Sequence, residues 1–308
     1  MKHSLMITLI LVGVFFVSQI VGLAVTDQYI AEKTVDEETG EVVNVTYSEL
    51  PFDMQRPEVE ESKSYIFILG AVLIGTILVL VLIRFRGYKV WKFWFFLSVA
   101  LCLTIAFYAF LSRIGGLGAW LAILLAIGLA IWKIYRPNVI VHNLTEIFVY
   151  GGLAAIFVPI MNVYAIVILL VLISIYDMIA VWQSKHMVKM AKFQTESKVF
   201  AGLSIPYKLP KGKKAGGGKK KLDAPKPSGK KDMVKSAILG GGDIGFPLLF
   251  AGVLMKSVGF AKVLVVPVAV SMALFLLLYY AKKDKFYPAM PFITAGCFAG
   301  WGLMWLIF

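Results

Sequence analysis

The apolar residues of this chain are gathered into nearly unbroken blocks of about twenty, each long enough to cross a ~30 Å hydrocarbon layer as a helix. Such blocks predict a polytopic membrane protein, because a spanning segment in lipid must satisfy its own backbone hydrogen bonds. Read between charged boundaries they give nine spans, at residues 4–25, 65–83, 93–112, 114–132, 144–160, 163–182, 234–255, 260–280 and 287–308. The expected fold class is therefore all-α, with nine transmembrane helices and termini on opposite faces. The first block follows Lys2 and His3 and ends at the small residues Gly22-Leu23-Ala24, as a signal peptide does. Its apolar part is too long for one, so a retained helix is expected.

The chain carries 31 Lys and Arg against 18 Asp and Glu, a net charge of +13. These charges sit between spans. A cytoplasmic N-terminus leaves only Lys33, Arg56, Lys63, Arg113, Lys256 and Lys262 outside, so the positive-inside rule selects that orientation and an external C-terminus. Orientation accounts for the basic balance, and nucleic acid is not an expected partner. The first outer loop, residues 26–64, is by contrast acidic, with eleven carboxylates. It reads as a solvated loop, with an entry screen for substrates as the alternative. Asn44-Val45-Thr46 within it is a glycosylation sequon, usable where the host glycosylates that face. Cys102 and Cys297 fall inside apolar blocks, where cysteine behaves as a small hydrophobe.

Three units follow. Residues 1–182 form a six-helix membrane half, 183–233 a basic cytoplasmic segment, and 234–308 a three-helix membrane half. In the middle segment Lys185, Lys189 and Lys192 alternate with Met187, Met190 and Phe193, predicting an amphipathic stretch along the headgroups. Beyond it, Lys211 to Lys221 with interspersed glycines, then Pro225, Pro227 and Gly229, predict a disordered linker whose lysines attract anionic lipid. No internal repeat is visible, which weighs against a transporter built from duplicated halves.

Two carboxylates interrupt the apolar blocks: Asp177 in Ser174-Ile175-Tyr176-Asp177, and Asp243 in Gly240-Gly241-Gly242-Asp243. An acid there is expensive and points to a function. With the sixth span ending at Trp182 and the seventh starting at Val234, Asp177 lies about 8 Å and Asp243 about 13 Å from the same face. Antiparallel neighbours thus carry carboxylates at similar depth, so the two can meet. Facing each other out of bulk water they cannot both ionise cheaply, and they share a proton. The ionised one can deprotonate a water while the protonated one polarises a peptide carbonyl and then protonates the leaving nitrogen. This is hydrolysis with no metal, cofactor or covalent intermediate.

Gly240-Gly241-Gly242 lets another backbone approach and makes the helix start easy to unwind, and Pro247 frees a carbonyl. Gly240, Gly242 and Gly245 also fit a dinucleotide-binding spacing, but no strand is expected before them, so that reading is set aside. The ninth span opens with Tyr287-Pro288-Ala289-Met290-Pro291, where two prolines preclude a regular first turn. Irregular backbone at membrane depth needs protein or a wet cavity beside it, so this segment should face the aspartates. Glu146, in Asn143-Leu144-Thr145-Glu146, has capping-box spacing and is expected to close the start of the fifth helix.

Tyr176-Asp177, Gly240-Gly241-Gly242-Asp243 and Pro288-Ala289-Met290-Pro291, in that order on spans six, seven and nine, resemble the YD, GxGD and PAL motifs of the presenilin and signal-peptide-peptidase family of intramembrane aspartyl proteases. The resemblance implies that Asp177 and Asp243 are the catalytic dyad, that Tyr176 and the three glycines support it, and that Pro288, Ala289, Met290 and Pro291 shape the site and seat substrate. Met290 stands where the family usually has Leu, a volume-conserving exchange. The lysine distribution is like the presenilin arrangement, and the chain is similar in size to a compact microbial homologue, which implies the cell membrane. The implied partners are the bilayer and transmembrane-helix substrates that must unwind before cleavage, while a homo-oligomer stays open. An unwound substrate could pair as a strand with residues 200–203 or with those just before Val234.

The rival readings are a proton- or cation-coupled transporter using the same acids, and a non-catalytic helix bundle serving as chaperone or receptor. Prepilin-peptidase-like enzymes also use GxGD, but the Pro288 motif argues against them.

Overall fold

The computed structural model describes residues 4–35, 42–136, 138–183, 190, 193, 194, 197, 199–208, 234–281 and 287–308. Among these, nine helices are long and apolar enough to cross a membrane. Their α-helices are α1 (Leu5–Gln28), α2 (Ser64–Arg84), α3 (Tyr88–Leu111), α4 (Gly116–Tyr135), α5 (Val139–Phe157), α6 (Val163–Trp182), α7 (Gly241–Val258), α8 (Val265–Tyr280, within the span Phe260–Tyr280) and α9 (Met290–Ile307). A short turn of helix, Phe260–Val263, leads into α8. The chain is an integral, multi-pass membrane protein, and its large exposed side chains, from Ile74 on α2 to Trp305 on α9, are those suited to face lipid.

Helix contacts follow the small residues, as they must where lipid is as apolar as leucine. Gly118, Ala122, Ala126 and Ala130 form a buried stripe on α4, which packs on α3. Gly296 and Gly300 bring α9 against the backbone of Val270 and Val266 on α8. A side chain at Gly151 would strike Val25 and Gly22, and one at Gly152 the backbone at Cys102, so α5 lies close on both α1 and α3. The most enclosed helix is α7, with 61% of its apolar window buried against 6% for α2. It packs against α1, α5, α6, α8 and α9, which puts the Gly240-Gly241-Gly242-Asp243 segment at the centre of the bundle.

Two antiparallel hairpins modify the all-helical expectation. The first, β1 (Ile30–Val35) with β2 (Val42–Tyr47), lies within the acidic outer loop. The second, β3 (Gly202–Lys208) with β4 (Val234–Gly240), corrects the seventh span. Residues 234–240 are a strand and not the first turns of a helix, so α7 begins at Gly241 and Asp243 lies in its first turn. Other boundaries also move. The fifth helix starts at Val139, where the Asn138 side chain accepts the Ile140 amide at 2.8 Å. The ninth starts at Met290, after the irregular residues 287–289.

Of the expected amphipathic stretch, Phe193 is buried and stacks on Tyr88 at 4.9 Å. The three lysines of that stretch and the expected linker lie outside the described residues.

Three of the six cations expected on the outer face bond carbonyls at or near helix C-termini. Lys33 reaches Met255 O at 2.9 Å, Lys256 reaches Met161 O at 2.6 Å, and Arg56 reaches Ala155 O at 3.2 Å. Cations there complement the helix dipole.

Candidate active site

Asp177, near the end of α6, is buried, and α6 packs on both α7 and α9. Its Oδ2 accepts the main-chain amide of Met290 at 3.1 Å, and the amide of Ala289 also bonds the carboxylate. The break at Pro288 and Pro291 explains why. It leaves the first amides of α9 without helical partners and with no side-chain cap of their own, and Asp177 from the neighbouring helix takes them. One turn earlier on α6, Ser174 Oγ and Thr294 Oγ1 lie 2.8 Å apart, a second link between the same two helices. Pro288 and Met290 are buried and Ala289 half-buried.

Asp243 sits at the third position of α7, with Gly240 as the N-cap residue in extended conformation. The Gly240 amide bonds the Asp243 carboxylate, which is the acidic half of a capping box. Asp243 is half-buried and Gly242 exposed, so the site opens on this side. Asp177 is near enough for its charge to act on Asp243. Each also lies at the positive end of a helix, Asp243 on α7 and Asp177 against α9, which offsets part of the cost of a carboxylate at this depth. Such a pair, with main-chain donors fixing both acids, can hold a water and exchange a proton with it.

The supporting residues divide. A side chain at Gly240 would meet Asp243 Oδ2 at 3.3 Å, and one at Gly241 would lie 2.6 Å from the Tyr150 hydroxyl. Tyr176 instead turns its hydroxyl to Thr76 on α2, at 3.1 Å, and so ties α6 to α2. Pro247 has no amide to give the Asp243 carbonyl, and one residue further on the buried Gln19 of α1 donates to Ile244 O at 2.9 Å. Gln19 was not singled out in the sequence, although a polar residue deep in the first apolar block was the available signal.

Glu146 does not cap the fifth helix, which starts seven residues earlier at Val139. It is fully buried, pairs with Lys133 of α4, and accepts the Tyr150 hydroxyl and the Gly202 amide, the latter at 3.0 Å. Beside it, His142 Nε2 meets Gly202 O at 2.8 Å, and the Asn143 amide spans Ser204, accepting its N–H at 3.0 Å and donating to its carbonyl at 2.9 Å. Side chains of α5 thus occupy the outer edge of β3 as a partner strand would. The ladder then fixes the other edge. Gly202 and Ser204 face away from β4, so their opposites Gly240 and Ile238 face away from β3, and Ser236, opposite Pro206, does the same. Among the described residues nothing bonds the main chain of Ser236 or Ile238, and both are exposed. The open edge is therefore on β4, leading directly into Asp243, and not at 200–203.

The sequence profile of the family described as "Signal-peptide peptidase, presenilin aspartyl protease" matches residues 42–308. The chain belongs to that family. It is an intramembrane aspartyl protease, and the transporter and receptor readings give way. The fold agrees. Two solved structures, described as a presenilin family intramembrane aspartate protease in C222 and in P2 space groups, superpose with TM-scores of 0.62 and 0.60. Each is 16% identical to the protease; the first covers 98% of this chain and 99% of its own, the second 97% and 98%. A comparison with curated proteins gives no match.

Proposed function

We propose that Asp177 and Asp243 are the catalytic dyad and that the protease hydrolyses peptide bonds within transmembrane helices of other membrane proteins. The observation that carries the reading is the pair of main-chain amides, from Ala289 and Met290, that holds Asp177 beside the first turn of α7. One aspartate, ionised, takes a proton from a water lying between the two. The other, protonated, polarises the scissile carbonyl and passes its proton to the leaving nitrogen.

The substrate helix must unwind to expose its backbone. In this reading the freed segment is received by the open edge of β4, where Ser236 and Ile238 offer amides and carbonyls and lead the chain toward Asp243. Pro288, Ala289, Met290 and Pro291 form the opposing wall. The aspartate end of the bundle is assigned to the cytoplasmic face. The charge asymmetry supports this, as does the use of Lys33, Arg56 and Lys256 as carbonyl partners at the other end.

A peptide with a hydroxyethylene group in place of the scissile amide, carrying a photolabel, tests the reading. It should label fragments containing α6 and α7 and be displaced by substrate. Equal labelling of Asp177→Asn and Asp243→Asn would contradict it.

A further inference from the structure

We propose that Glu146 is a positioning residue for this protease, setting which substrate bond reaches the aspartates; the proposal rests on the pairing of substrate with β4 described above. Its carboxylate is buried together with the Lys133 ammonium, which it engages through Oε1. The second oxygen, Oε2, takes two donors from different parts of the site, the Tyr150 hydroxyl and the Gly202 amide. A buried ion pair is a poor device for stability alone, since apolar residues of similar volume serve as well, whereas it fixes a register effectively.

The two donors lie at the root of the hairpin. Gly202 has φ +130°, and a side chain there would strike Leu239 O, so β3 starts where Glu146 and His142 hold it and nowhere else. Gly202 stands opposite Gly240, the N-cap of α7. Tyr150, one turn beyond Glu146 on α5, presses its hydroxyl on Gly241. One carboxylate oxygen thus references both β3, which pairs with the strand that receives substrate, and the turn that carries Asp243. If that reference moves, the edge of β4 slides relative to the dyad, and the scissile bond changes by one strand step.

The test is cleavage of a single-span substrate, with fragment masses read alongside kcat and KM. Glu146→Asp keeps the charge for the flexible Lys133 but withdraws the acceptor by one methylene from Gly202. It should fold and move product to bonds one or two residues from the wild-type site. Removing one charge alone leaves the other buried, so the acceptor is tested in neutral pairs. Lys133→Met with Glu146→Gln should restore the wild-type bond, and Lys133→Met with Glu146→Leu should not. Wild-type fragments from Glu146→Asp, at full or uniformly reduced rate, would overturn the proposal, as would equal behaviour of the two neutral pairs. Cleavage surviving in Asp177→Asn would instead strike the dyad, a result distinct from those that overturn the positioning role of Glu146.

Discussion

Met290 donates its main-chain amide to Asp177 at 3.1 Å, so the break at the start of α9 and the acid on α6 are one structural unit. A proline-bracketed segment that cannot make regular helix supplies main-chain donors to a carboxylate that cannot otherwise be held at this depth.

Ala289→Pro tests that unit. Ala289 has φ −84°, within reach of proline, so the variant should fold while losing one donor to Asp177. A hydrogen bond to a charged group is worth about 1.5 kcal/mol, so kcat should fall about tenfold with little change in thermal stability. Unchanged kcat would show that the amide is dispensable.

The closeness of the two acids implies a bell-shaped dependence of kcat on pH. At low pH both are protonated and no base remains; at high pH both are ionised and no acid remains. A rate that is flat from mildly acidic to alkaline pH would contradict a shared proton.

Ile238→Pro and Ala237→Pro should differ. Ile238 turns its amide away from β3, so proline there spares the hairpin and removes one bond to substrate, raising KM about fivefold. Ala237 faces β3, and proline there should break the ladder and abolish cleavage. Equal effects of the two would argue against an open edge on β4.

Gly241→Ala places a methyl group against the Tyr150 hydroxyl. We expect cleavage to drop at least tenfold. Adding Tyr150→Phe should recover part of it by removing the oxygen that clashes. A Gly241→Ala enzyme with normal kinetics would mean that the turn tolerates displacement.

The helical layout and the acids were legible because their signals are local: apolar blocks of spanning length, and carboxylates within them. The strand at residues 234–240 was not, since its last residues, Ala237-Ile238-Leu239-Gly240, run without a polar break into α7, and a short apolar run does not declare its period. The same holds for Glu146. Its capping-box spacing is real, but Asn138 starts the helix earlier, and the partners Lys133 and Gly202 are distant in sequence. The first hairpin did leave a trace in the β-branched residues of Val42–Tyr47.

The most direct measurement is cleavage of a generic single-span substrate in detergent by purified wild type, Asp177→Asn and Asp243→Asn, with mass spectrometry of the fragments. The expected result is cleavage by the wild type within the span and none by either folded variant. Cleavage persisting in either would contradict a dyad formed by these two aspartates.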